Sequence, residues 1–574
     1  MRGLPVAAES IPTMKMTGGD ALAQQLVHEG STDVFGVPGV QLDWAVEGLR
    51  KVSDTLAYTV TRHEQAASYA ADGYARSSGK PGICMVVPGP GLLNAMAGLA
   101  TAFACNSRVL CIVGDIHSAA IGKGLGLLHE VRDQSRILGS VTKWQGRAMR
   151  PDDVPGIVRQ AFHQLMTGRP QPVGIEIPHD VLSASADISL LDPVAVKEVQ
   201  PDIGAIERAA FLIERSKNPV IYAGGGVLSS GASRSLRALA EKLQCPVVMG
   251  ENGRGALSDR HPLALSTLEG RAVFPDADLV LVVGSRFVDT ALGRPAWPTD
   301  NKTYIYINLD PSAWSSPRRA DCAIECDCRT ALEALERACR TRPATVLDIQ
   351  RVRASALEQI NDIEPQASWV RALRSAIPDD GVLVNELTQV GYFARLAYPV
   401  YEPNTLLSPG YQGTLGYGLP TALGAAVANR NRVVVSINGD GGFGWNMQEL
   451  ATARKYSLNV SIVVFNDGHF GNVRKMQNDQ FQAEYGIADK PSVRSPGRCV
   501  RYPVFSCRLT ARNAGCHRSA LRRRPHLRRG SGRLDAKSVA SAQAHAAALR
   551  GHSSGPDRNL IAVALSSSSR RRRR

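Results

Sequence analysis

The sequence predicts an α/β protein of parallel layers in three blocks, and three observations carry that expectation. Short β-rich runs alternate with longer helical stretches along most of the chain, the order that parallel sheets with crossover helices produce. A glycine run, Gly224-Gly225-Gly226, follows one of these β-rich runs as a tight strand-to-helix turn would. The chain has 574 residues, 44% hydrophobic and 21% charged, the size and balance of roughly three or four globular domains. Such a length buries several cores without a disulfide or metal staple. No apolar run approaches the roughly 18 residues that cross a bilayer as a helix, so no membrane partner is expected.

The first block is residues 17–181, with strand-like runs at 33–37, 83–87, 109–113 and 173–177. An Ala-rich stretch, AASYAADGYAR, follows Glu64 and carries apolar residues at near-helical spacing. Residues 182–203 hold prolines and acids with little periodicity and are read as a linker. The second block, 204–340, has buried-strand signals at 219–223, 246–249, 279–283 and 304–308. A second, partly helical linker covers 341–365. The third block, 367–490, has strands at 382–385, 433–437 and 460–465.

Charge separates the body from the tail. Residues 491–574 hold 19 Arg and one Lys against Asp535 and Asp557, a net of +18, while the rest of the chain nets −3. The tail lacks a sustained helical or strand period, so it is expected to stay solvated and disordered and to leave the third sheet incomplete. Its composition suits an arginine-rich nucleic-acid arm, or the misread frame of a GC-rich gene, whose product would be inactive. The tail's aromatics are sparse, Tyr502 and Phe505 among them, which disfavours a single-strand binder; nucleic acid is not an expected partner. At the other end, MRGLPVAAESIPTMKM has no apolar core of secretory length and reads as a ragged leader before Met14 or Met16. Cys84, Cys105, Cys111 and Cys245 lie in apolar segments, as reduced cysteines do. Cys322, Cys326 and Cys328 are spaced unlike the common zinc patterns. A reducing cytoplasmic setting follows.

The sharpest chemical signal is Gly439-Asp440-Gly441 after one strand and Asn466-Asp467-Gly468 after the next. Each carboxylate falls at the carboxyl end of a parallel strand, where open α/β sheets bind ligands. Two hard oxygen ligands together with diphosphate oxygens suit Mg²⁺, and the glycines let backbone approach phosphate closely.

With that pair in place, the sequence resembles the thiamine-diphosphate enzymes of the acetolactate synthase and 2-oxo acid decarboxylase superfamily. The resemblance runs from about 17 to 486. It implies an α/β fold of three doubly wound parallel-sheet domains (pyrimidine-binding, central and diphosphate-binding), the last incomplete. Asp440 and Asp467 become magnesium ligands, with a main-chain oxygen near His469 as the third. Asp467 stands where the family usually has Asn, and still offers an oxygen. Gly413 and Leu415, in Gly413-Thr414-Leu415-Gly416-Tyr417-Gly418, match the segment that contacts the cofactor, Leu415 being the wedge that holds it bent. Gly439 and Gly441 flank the diphosphate.

In the first block, Arg62-His63-Glu64 lies between Phe35-Gly36-Val37-Pro38-Gly39 and Pro88-Gly89-Pro90-Gly91-Leu92-Leu93-Asn94-Ala95. These match the family's first domain, which places Pro38, Gly39, Pro88 and Asn94 on the aminopyrimidine and substrate side and makes Glu64 the catalytic, cofactor-activating carboxyl. In an apolar pocket, with its pKa raised, that group can hydrogen-bond the pyrimidine ring nitrogen. The imino tautomer so favoured removes the thiazolium C2 proton, and the ylide is the nucleophile.

The implied function is a thiamine-diphosphate- and Mg²⁺-dependent carboligase or lyase of a small 2-oxo acid, acetolactate synthase-like, with a simple 2-oxo acid decarboxylase as the alternative. His129 stands where acetolactate synthases carry Gln, and Met476 where they carry a Trp that shapes acceptor preference. The central block, with Gly224-Gly225-Gly226 and Gly284-Ser285-Arg286-Phe287, resembles the domain that holds FAD in some members, so FAD is a candidate cofactor. The resemblance also implies a homodimer or a dimer of dimers, with Glu64 and Asp440 of one site drawn from different subunits.

Overall fold

Every strand expected in the three blocks is present, and the reason is burial on both faces. All seven residues of Val109–Asp115, all five of Gly82–Val86 and all five of Leu279–Val283 are buried, as parallel strands covered by helices on both sides must be. A computed structural model describes residues 13–288, 301–315, 319–487, 504–509 and 558–564. The leader before Thr13 and most of the tail lie outside the described residues. The chain divides into two units, residues 1–75 with 80–197, and 76–79 with 198–574.

The first unit holds β1 (Met14–Thr17), β2 (Asp33–Gly36), β3 (Ala57–Val60), β4 (Gly82–Val86), β5 (Val109–Asp115), β6 (Trp144–Arg147), β7 (Val173–Pro178) and β8 (Ser185–Ile188). Six of these form one parallel sheet in the order β3-β2-β4-β5-β7-β6. Because these strands run parallel, the turns after β2, β3 and β4 leave from the same, carboxyl end of the sheet. The segment read as a linker, 182–203, contains β8, which pairs antiparallel with β1. Ile188 of β8 is buried in the core and anchors that pair.

The second unit holds two sheets. In the first, β9 (Pro219–Ala223), β10 (Val247–Met249), β11 (Ala264–Leu265), β12 (Leu279–Val283), β13 (Thr303–Asn308) and β14 (Cys322–Glu325) run parallel in the order β11-β10-β9-β12-β13-β14. The triple glycine is used for packing here. A Cβ on Gly224 would lie 2.3 Å from the Gly284 carbonyl oxygen, and one on Gly226 would lie 2.6 Å from Gly284 Cα. Close backbone contact between the turns after β9 and β12 therefore accounts for both without a ligand. Cys322, Cys326 and Cys328 are buried, and burial pushes the Cys326 thiol up to about 11, the behaviour of inert core thiols.

The second sheet contains β15 (Val382–Asn385), β16 (Leu406–Leu407), β17 (Val434–Gly439), β18 (Val460–Asn466), β19 (Val504–Leu509) and β20 (Arg558–Ala564), in the order β16-β15-β17-β18-β20-β19. β15 to β18 are parallel. β20 and β19 come from the tail and add antiparallel. This corrects the expectation of a tail without strand for those thirteen residues. Arg558–Ala564 reads RNLIAVA, an apolar run, and the open edge of β18 offers the unpaired N–H and C=O groups that such a run can pair with. The two sheets are joined through Arg254, which is 4% exposed; it donates to Asp259 at 2.7 Å and to the Tyr398 carbonyl at 2.8 Å.

Candidate active site

In the second unit, the carboxyl ends of β15, β17 and β18 surround a cavity of about 240 Å³. It brings together Gly413, Leu415, Gly439, Asp440, Gly441, Asp467 and His469, all of them singled out from the sequence, and adds Thr388, Gln389 and Phe465. Strand β17 ends at Gly439, and Asp440 opens the helix Asp440–Asn446. Asp440 is 5% exposed. Its Oδ1 accepts from the Gly441 N–H at 2.8 Å and its Oδ2 from the Gly468 N–H at 2.9 Å. Each oxygen keeps lone-pair capacity after those bonds. The carboxylate is thus fixed across the two turns that follow β17 and β18.

Asp467 is exposed, and its Oδ1 accepts from the His469 N–H at 3.1 Å. His469 Nδ1 donates to the Asp467 carbonyl at 2.7 Å, so its ring is turned back on its own loop. Among the described residues no cluster of three His, Cys, Asp or Glu side chains stands ready for a metal. Two carboxylates and backbone oxygens beside a glycine turn are a donor set that fits Mg²⁺, which takes few protein ligands and completes its shell with phosphate and water. The N–H groups of the helices Gln389–Ala397 and Asp440–Asn446 begin at this cavity, which suits a diphosphate.

Leu415 is half-buried and Gly413 has φ +57°. Met476 is 52% exposed on the helix Gly471–Phe481, which buries none of its residues.

In the first unit, the remaining site residues follow neighbouring parallel strands: Pro38 and Gly39 after β2, Glu64 after β3, Pro88 after β4. Glu64 opens the helix Glu64–Ser78, as an acid at a helix N-terminus should. It is half-buried, and Asn94 Nδ2 donates to its Oε2 at 3.0 Å. The apolar pocket expected around it is not closed within this unit; its partner Asn94 and the neighbouring Leu93 are exposed. A Cβ on Gly39 would lie 2.4 Å from Val87 Cγ1, so a side chain there would collide with the residue that follows β4. His129 is half-buried: its Nδ1 is 2.7 Å from Gln41 Oε1, and Gln41 Nε2 donates to the Leu128 carbonyl.

Sequence reasoning missed the buried acids beneath both turns. Gly89 has φ +56° and donates its N–H to Gln134 Oε1 at 2.9 Å. Gln134 Nε2 in turn donates to Glu176 Oε1 at 3.1 Å. Arg147 spans Asp115 at 3.2 Å and Glu176 at 3.1 Å. Burial raises the Asp115 carboxyl to about 6, against the opposing pull of the Ile116 N–H and Arg147. In the second unit Glu386, fully buried, follows β15; desolvation raises its carboxyl to about 7, opposed by the N–H groups of Gly416 and Gly418. A signal did exist for Glu386: an acid immediately after an apolar strand, the same position that drew attention to Asp440.

Comparison with known proteins places the chain in a family. Three family descriptions match: "Thiamine pyrophosphate enzyme, N-terminal TPP binding domain" over residues 16–137, the central domain over 206–335, and the C-terminal TPP binding domain over 387–530. The last match extends past Lys490, where the motif-by-motif resemblance stops. A probable 2-ketoarginine decarboxylase of Pseudomonas aeruginosa is 33% identical over 476 residues, 81% of this chain and 84% of that protein. Acetolactate synthase isozyme 1 large subunit of Escherichia coli is 32% identical over 477 residues, with the same coverage. A probable acetolactate synthase large subunit of Methanocaldococcus jannaschii is 33% identical over 509 residues, 83% of this chain and 85% of that protein.

Proposed function

The chain belongs to the thiamine pyrophosphate enzyme family, and from that premise we propose that it is a carboligase or lyase of a small 2-oxo acid, dependent on thiamine diphosphate and Mg²⁺. One observation carries the reading. The cavity at the carboxyl ends of β15, β17 and β18 gathers the two acids and the glycine turns that a magnesium diphosphate needs. The cofactor supplies, when bound, a nucleophilic carbon and an electron sink for decarboxylation.

The chain's own residues have separable tasks in this proposal. Asp440 and Asp467 hold the metal, with a main-chain oxygen near His469. Gly439 and Gly441 leave room for phosphate, and Gly413 and Leu415 support the cofactor's middle. Glu64, oriented by Asn94, holds a proton at its carboxyl toward the pyrimidine nitrogen. Pro38, Gly39 and Pro88 shape the turns around it. Because Glu64 is only half-buried in one chain, the reading includes a homodimer in which a second subunit closes that side.

A simple decarboxylase is the second reading. It is favoured by the decarboxylase among the relatives and by Met476 at a position where acetolactate synthases carry Trp. Supplying pyruvate and 2-ketoarginine in turn, with thiamine diphosphate and Mg²⁺, separates the two. The carboligase reading expects CO₂ together with a condensed hydroxy-oxo acid from pyruvate. CO₂ with aldehyde alone would assign the decarboxylase, and no CO₂ from either substrate would defeat both.

A further inference from the structure

The acid that the sequence did not single out has an unusual setting. Glu386 is 0% exposed, and among the described residues no cation pairs with it. A buried carboxylate without a cation is costly unless backbone donors satisfy it. Two do: Oε1 accepts from the Gly416 N–H at 2.8 Å, and Oε2 from the Gly418 N–H at 3.3 Å. Space around the group is shut by glycines. A Cβ on Gly442 would lie 1.6 Å from Oε1, and one on Gly418 would lie 2.9 Å from Oε2 and 2.2 Å from Asn438 Oδ1. Gly416, at φ +78°, is also held from its other side, where Asn446 Nδ2 donates to its carbonyl at 2.6 Å. Glu386 thus touches three segments at once: the end of β15, the loop that carries Leu415, and the first turn of the helix that begins at Asp440.

We propose that Glu386 is a positioning residue for the cofactor site, its carboxylate fixing the path of the 413–418 loop, and with it Leu415, against the Asp440 helix. The inference rests on the reading that this cavity receives thiamine diphosphate. Only a two-oxygen acceptor meets both N–H groups. A glutamine offers one acceptor and sets its own NH₂ donor against the other N–H. Glu386→Gln therefore keeps the volume and breaks one half of the clamp.

The test compares the full-length wild type, Glu386→Gln, and Val370→Ala, a core truncation in the helix Gln366–Ala376 at a residue that does not line the cavity. Hydrogen exchange of residues 413–418 is followed without cofactor, and binding of thiamine diphosphate with Mg²⁺ is followed by calorimetry. Glu386→Gln is expected to raise the exchange rate in this loop and the Kd each by about tenfold, the scale of one lost hydrogen bond to a charged acceptor. Val370→Ala is expected to leave both within about twofold while lowering the thermal midpoint, since it removes packing alone. Gly442→Ala, which drives a methyl into Oε1, is expected to reproduce the loop effect and serves if Glu386→Gln does not fold. Wild-type binding with exchange and Kd unmoved in the variants overturns the inference alone, as does a Kd change of the same size in Val370→Ala. A wild type that binds no thiamine diphosphate overturns the cofactor reading and this inference with it.

Discussion

The two groups of candidate site residues, one in each unit, differ in how completely the chain builds them. In the third block, a buried carboxylate, Asp440, is fixed by two backbone donors inside a formed cavity. In the first block, the proposed reacting carboxyl, Glu64, is half-buried and has one side-chain partner, Asn94. Each unit also holds buried acids near its turns, satisfied in different ways. Glu386 is met by backbone N–H groups alone. Asp115 and Glu176 share Arg147, which is 26% exposed, and reach the Gly89 turn through Gln134. The contrast teaches where each half gets its geometry. Around Asp440 the acids are held by backbone N–H groups, while Glu64 is held by one side chain from another element; on the proposed roles, Glu64 should be the easier to disturb without losing the cofactor.

The strongest test of that contrast is Glu64→Gln. The shape stays and the ionisable group goes, so C2 deuterium exchange in thiamine diphosphate should fall about 10²–10⁴-fold, the usual range for a positioned acid or base. Calorimetric affinity should change little. Exchange at the wild-type rate would remove Glu64 from its proposed role. Asp440→Ala should do the opposite, raising the Kd for thiamine diphosphate by about a hundredfold or more, because one of two inner carboxylates is lost. Unchanged affinity would break the assignment of the binding half.

A smaller effect probes the acids under the first half. The Asp115 carboxyl is raised to about 6 in the fold by burial, against about 3.9 unfolded. Between those values the folded state binds more protons than the unfolded one. Its contribution to stability is therefore fully present below about pH 4 and is lost as pH rises through about 6. Asp115→Asn should remove that pH dependence, so urea midpoints of wild type and variant should diverge between pH 4.5 and 7, with the variant gaining relative to wild type. Parallel midpoints across that range would show that Arg147 already compensates the charge.

Much of this was legible beforehand, for a physical reason. Central parallel strands are buried on both faces and leave continuous apolar runs, so β4, β5, β7, β12 and β17 announced themselves. Edge strands did not. Trp144–Arg147, Ala57–Val60 and Cys322–Glu325 are four residues each and partly exposed, and four mixed residues have no clear period. The site divides the same way. Asp440 and Asp467 were visible because glycines follow them, and the cavity does unite them. Gln134 and Glu176 were not, because residues that work through one another's side chains leave no spacing rule in the sequence, and Glu386, although at a strand end like Asp440, is not followed by glycine. The same is true of β20, whose pairing depends on an edge supplied about a hundred residues earlier.

The finest comparison separates Glu64's chemistry from its orientation. Asn94 sits on the helix Pro90–Cys105, whose start is fixed by the Gly89 turn and so by Gln134. Its amide donates to the carboxyl that the proposal aims at the pyrimidine nitrogen. Asn94 is exposed, so water can replace much of what it gives, and the net value of such a bond is modest. Asn94→Ala should lower the C2 exchange rate only about three- to tenfold and leave cofactor affinity unchanged. Gln134→Ala acts one step further away, through the turn, and should produce a loss of similar size that adds little to Asn94→Ala in the double variant, since both act on one carboxyl. Fully multiplicative losses in the double variant would show that the two residues act on the site independently, and that the Gly89 turn does not orient Glu64 through Asn94.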